Sequence, residues 1–126
     1  MLRLSCAFFL ILLFPVASPA ADNRAIADAA FDELISRDFA ALAKRFSPEM
    51  SAAMPSEKLP AAIDPVLKSL GALHFGRPEP KVAGSQGAEV FLYPAEFERA
   101  KMTVVISVNS EGQIAGLFLR PPPQEP

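Results

Sequence analysis

The sequence predicts an α+β fold, with N-terminal helices packed on one face of an antiparallel sheet of about four strands. Three observations carry this. Apolar residues recur with helical spacing up to Gly71 and with a period near two after it. The chain has 126 residues, one domain's worth, and its first 20 read as a leader. The remaining residues, about 105, bury roughly two-thirds of the unfolded surface, which leaves room for one layer of helix on one layer of sheet.

The leader has the anatomy of a secretory signal. Arg3 supplies the positive start, Leu4 to Phe14 the apolar run, and Ser18 and Ala20 the small residues that a signal peptidase reads. Cleavage is expected after Ala20, giving a periplasmic or secreted protein with no membrane attachment. The rival is an uncleaved anchor, but a spanning helix needs about 20 apolar residues, and Pro15, Ser18 and Pro19 interrupt this run. Cys6 lies too early in the apolar run to carry a lipid. It is the only cysteine, so the mature chain has no disulfide and no thiolate ligand. Arg3 leaves with the leader, and the net charge becomes about −3. That is too mild to imply a cationic partner, and no basic block exists for nucleic acid.

Residues 21–120 read as one domain. From Asn23 to Ser36 the rows Ile26, Ala30, Leu34 and Ala27, Phe31, Ile35 form one amphipathic face, with Asp22 as the expected N-cap. Asp38 caps a second short helix that presents Phe39, Leu42, Ala43 and Phe46. Ser47-Pro48 starts another turn, with serine as cap and proline at the first helical position. Leu59, Ile63, Val66, Leu67 and Leu70 have helical spacing, but Pro60 and Pro65 interrupt it. A restart is expected at Asp64-Pro65, and an end at Gly71.

The strands follow. Ala72 to Arg77 is the first, stopped by Pro78 and Pro80, and Gly84 to Gly87 is a loop. Glu89 to Phe97 places Phe91, Tyr93, Ala95 and Phe97 on one side, with Pro94 marking an edge or a bulge. Lys101 to Val108 alternates most cleanly, and Asn109-Ser110-Glu111-Gly112 closes a hairpin. Gln113 to Leu119 completes the sheet, with Ile114 and Phe118 on one face and Ala115, Leu117 and Leu119 on the other. Residues 121–126 form a flexible Pro-rich tail.

Several of these strings resemble a known family. Phe39-Ala-Ala-Leu-Ala-Lys-Arg-Phe46, Pro55-Ser-Glu-Lys-Leu59, Leu70-Gly-Ala-Leu73, Glu96-Phe97-Glu98 and Gly112-Gln-Ile-Ala-Gly-Leu-Phe118 look like domain of unknown function 3887. The resemblance implies the cone of the nuclear transport factor 2-like (cystatin-like) superfamily, in which a curved antiparallel sheet wraps around the helices. In that family the domain often precedes an α/β-hydrolase. A hydrolase is not expected within these 126 residues, and Gly84-Ser85-Gln86-Gly87 does not match a Gly-x-Ser-x-Gly elbow. The likeness rests on packing residues and turns, so it implies a fold and not an activity.

The residues that could carry chemistry are few. His74 is the only histidine; it reads either as a general acid or base or as a solvent-facing strand residue, and the second is preferred. Glu96 and Glu98 flank Phe97 and read first as the wet side of a strand. Asp28, Asp32 and Glu33 read as a helix's solvated side, with Arg37 available to Glu33 at i+4. No metal site, catalytic set or cofactor is implied. Tyr93 reads as core or as a ligand contact in the cone, with Phe91, Phe97 and Phe31 as the lining.

Two function classes stay open. The preferred one is an exported non-catalytic module that binds a small apolar ligand or a protein. The other is a small enzyme using His74 or Tyr93 with a carboxylate, and it requires the two side chains to share a pocket. Val90, Leu92, Val105, Leu117 and Leu119 are expected on the outer sheet face as an apolar patch. Val105, Leu117 and Leu119 are the candidate interface, and the resemblance makes a homodimer the natural partner.

Overall fold

The structure, a computed structural model, describes residues 19–85 and 87–122, with side chains from Asn23 onward apart from Ser85. All but the last two residues of the expected leader, and all but the first two of the tail, lie outside these residues. Among the described residues no helix is long and apolar enough to cross a membrane. The helices are α1 (Pro19–Ser36), α2 (Phe39–Lys44), α3 (Pro48–Ala53), a 3₁₀ turn (Ser56–Lys58) and α4 (Leu59–Leu70). The strands are β1 (Leu73–His74), β2 (Lys81–Ser85), β3 (Ala88–Phe97), β4 (Lys101–Asn109) and β5 (Ile114–Arg120). The sheet is antiparallel and curled into a half-barrel, and the helices pack on its inner face. The α+β class is therefore as the sequence predicts.

The helical periodicity explains the packing. Ala27, Ala30, Phe31 and Leu34 of α1 are buried and lie over β3 and β4. Asp38 caps α2 by accepting from the Ala41 N–H, and Ser47 caps α3 by accepting from the Met50 N–H, as expected. Two helical expectations change. α1 spans Pro19–Ser36, so the backbone of Asp22 lies within the helix and not ahead of it. α4 runs through Pro65 without a restart. Proline removes only one bond of that ladder, and Asp64 turns to Arg37 and Lys68. Gly71 ends α4 at φ 84°, where a side chain would also collide with Glu98.

The first strand is shorter than expected. Phe75 and Gly76 stand at φ 66° and 69° and turn the chain off the sheet after His74. It rejoins at Lys81 as β2, a strand that the sequence reading left out. β1 pairs with the end of β3 (Leu73 with Phe97) and β2 with its beginning (Lys81 with Leu92). Tyr93, Pro94 and Ala95 thus face a gap in that edge, which is where a residue without an N–H fits.

The largest difference is in β5. Ser107 pairs with Gly116 but Val108 pairs with Ile114, so Ala115 is the extra residue of a bulge. Alternation reverses across it. Leu117 and Leu119 oppose Ile106 and Val104 on the inner face and pack on the core. Phe118 takes the outer face opposite Val105 and is 60 % exposed. The expected placement of Leu117 and Leu119 on the outer face is corrected accordingly.

Candidate functional site

Tyr93 is fully buried at the centre of β3, with its ring stacked on Phe31 at 4.9 Å. Its hydroxyl donates to Asp28 Oδ1 at 2.7 Å. Ala27 and Phe31 turn this side of α1 into the core, and Asp28 lies at the edge of that face with its side chain 19 % exposed. Burial first, then the hydrogen bond to Asp28 and the charge of Asp28, raise the phenol's pKa well above its ordinary value; Arg24 and Arg77 oppose the rise. The proton stays on the oxygen, so Tyr93 is a donor here and not a base.

A ring of charge surrounds this pair. Arg24 Nε reaches both carboxylate oxygens of Asp28 at 3.2 Å, and its Nη2 reaches Glu79 at 3.2 Å. Arg77 Nε lies 3.6 Å from Asp28, and its Nη1 holds Asp32. Arg77 and Glu79 belong to the segment that leaves the sheet between β1 and β2, so these contacts strap it to α1. The sequence reading placed Asp28 and Asp32 on a solvated face and missed the cluster. Glu33 likewise does not pair with Arg37 but is gripped by Arg45 through two bonds of 2.8 and 2.9 Å, and that grip raises the pKa of Arg45.

The remaining candidates sit apart from one another. Phe31 and Phe91 are closed into the core with Tyr93. Phe97 is also buried, but it borders a cleft of about 380 Å³ with Ile35, Leu67 and Leu73. His74 is exposed on β1, opposite Glu96 on the outer face, with its ring edge-on to Phe75. His74 and Tyr93 therefore lie on opposite faces and share no site. Glu98 lies past the end of β3, where its Oε1 accepts from the Ala72 N–H at 3.1 Å. Arg99 donates to the Lys68 and Ser69 carbonyls at the end of α4. Among the described residues no group of histidine, cysteine and carboxylate side chains is placed to hold a metal.

Fold and site together define a small half-barrel domain whose interior is filled by its own aromatic side chains. Residues 27–117 match the family model described as protein of unknown function (DUF3887), and the chain belongs to that family. No curated protein and no solved structure matches it.

Proposed function

We propose that the chain is an exported, non-catalytic binding module of the nuclear transport factor 2-like superfamily, and that it pairs with a second copy through its outer sheet face. The curled sheet around N-terminal helices supports the superfamily reading. The observation that carries the pairing is an apolar surface on the face that, among the described residues, no helix covers. Cross-strand register aligns Leu92, Val105 and Phe118 in one row, and Pro94, Thr103 and Arg120 in the next. Val105 is itself only 6 % exposed, so the contact residue is Phe118. Beside it lies a hollow of about 110 Å³ lined by Lys81, Leu92, Pro94, Thr103 and Arg120. Knob and hollow on one face suit a two-fold interface, in which each Phe118 enters the other copy's hollow. The filled interior and the separation of His74 from Tyr93 weigh against catalysis.

Light scattering tests the pairing. The wild type is expected to be dimeric and Phe118→Lys monomeric with an unchanged far-UV circular dichroism spectrum. A wild type that stays monomeric at high concentration refutes it. Export is tested by N-terminal sequencing, which is expected to begin at Ala21; an intact Leu4 to Phe14 segment would favour the anchor.

A further inference from the structure

The cleft beside Phe97 lies among the C-terminal end of α1, the C-terminal end of α4 and β1. Its volume, about 380 Å³, falls in the range of small-molecule sites, roughly 300–1,000 Å³. Ile35, Leu67, Leu73 and Phe97 give it apolar walls, and Arg37 is the one charged residue in its lining.

Arg37 is an unusual residue for its place. It follows the last turn of α1 at φ 63°, the left-handed position that glycine usually fills. The Arg37 N–H donates to the Leu34 carbonyl at 3.2 Å, and the Asp38 N–H to the Glu33 carbonyl at 2.8 Å, which closes the helix in that geometry. The arginine side chain is thus kept against a backbone cost, and such outliers gather at functional sites. Asp64 holds the guanidinium through Nε alone, and among the described residues the two Nη groups make no hydrogen bond. Guanidinium has five N–H donors in a fixed fork, so a face suited to a carboxylate stays available. Lys68 shares Asp64, at 3.5 Å, and leaves this trio with a net positive charge. Glu98 stands against Gly71 at the cleft, with its Oε1 accepting from the Ala72 N–H; it keeps its charge, so selectivity for a carboxylate rests on the Arg37 fork and not on the net charge of the cleft.

We infer that this cleft binds a small amphipathic carboxylate, with its apolar body against Ile35 and Leu73, over a floor of Leu67 and Phe97, and its charged end on the Nη groups of Arg37. The site is independent of the outer sheet face, so its failure and that of the pairing are read separately.

Calorimetric titration of the purified protein with decanoate, and with decanol as the neutral match, tests this. Decanoate is expected to bind about tenfold tighter or better than decanol, the scale of a charge-assisted contact. Arg37→Gly removes the guanidinium and relieves the left-handed backbone. It is expected to abolish that preference while leaving the melting temperature within a few degrees, and Arg37→Gln serves as a second variant should the glycine disturb the fold. Equal affinity for the two ligands, no binding of decanoate, or a preference that survives in both variants overturns the inference.

Discussion

Removing the Tyr93 hydroxyl and removing the Asp28 carboxylate should have unequal effects, and the inequality measures the bond between them. Tyr93 is fully buried, while Asp28 keeps some exposure and a second donor in Arg24 at 3.2 Å. Tyr93→Phe loses one hydrogen bond to a charged acceptor, about 1.5 kcal/mol at the low end of such bonds because Arg24 and water still serve Asp28. Asp28→Ala instead strands a hydroxyl where no water reaches. It should cost about 3 kcal/mol, the lost bond together with the desolvation of the orphan group. The double variant leaves no orphan and should fall short of the sum by about 1 kcal/mol or more. For a domain of this size each kcal/mol is roughly 4–8 °C in melting temperature, so all three effects are measurable. Urea denaturation followed by far-UV circular dichroism gives the cycle. If the two losses simply add, or Tyr93→Phe is neutral, the hydroxyl does not bond to Asp28.

Phe97→Ala should cost about 3–5 kcal/mol, as for a buried phenylalanine. Glu98→Ala should cost about 1 kcal/mol for the bond from Ala72; melts that rank the two equally would contradict the placement of both. The Arg37 hydrogen bond, first, lowers the pKa of Asp64 from 3.8. Its stabilisation is therefore complete above that value and is lost as pH falls through the lowered folded one. Asp64→Asn should flatten the acid limb of the stability profile, and unchanged limbs would deny the pair a role. At the alkaline end, the raised pKa of Tyr93 stabilises the fold below the ordinary value of 10.0, and that stability is lost as pH rises above it. As the only tyrosine, in a chain without tryptophan, Tyr93 should show tyrosinate absorbance only on unfolding.

The elements that the sequence made plain were those with a local cause. Rows at i, i+4, the Asp38 and Ser47 caps and the alternation of β4 are read from neighbours along the chain, and the structure keeps them. Asp28 was readable in part. At about 100° per residue it sits roughly 20° round α1 from Ile35, beside the apolar face and not opposite it. Its partners were not readable, because Tyr93 and Arg77 come from distant segments. β2 was missed because Lys81-Val-Ala-Gly-Ser has little strand character of its own and forms on the template of the longer β3. The bulge at Ala115 has no local signal either, and one extra residue moved Leu117, Phe118 and Leu119 each to the other face.

The short link between Phe46 and β5 sets the order in which the molecule can be completed. The Ile114 N–H donates to the Arg45 carbonyl at 2.7 Å, and the Ser47 N–H to the Ile114 carbonyl at 2.9 Å, so the helical layer is stitched to the last strand synthesised. Until that strand has formed, Phe46 and Val108 lack the Ile114 that pairs with both, and closure of so long a loop comes late. α1 can settle on β3 and β4 before this happens, so the seam between the α2–α3 turn and β5 is the part of the domain that closes last.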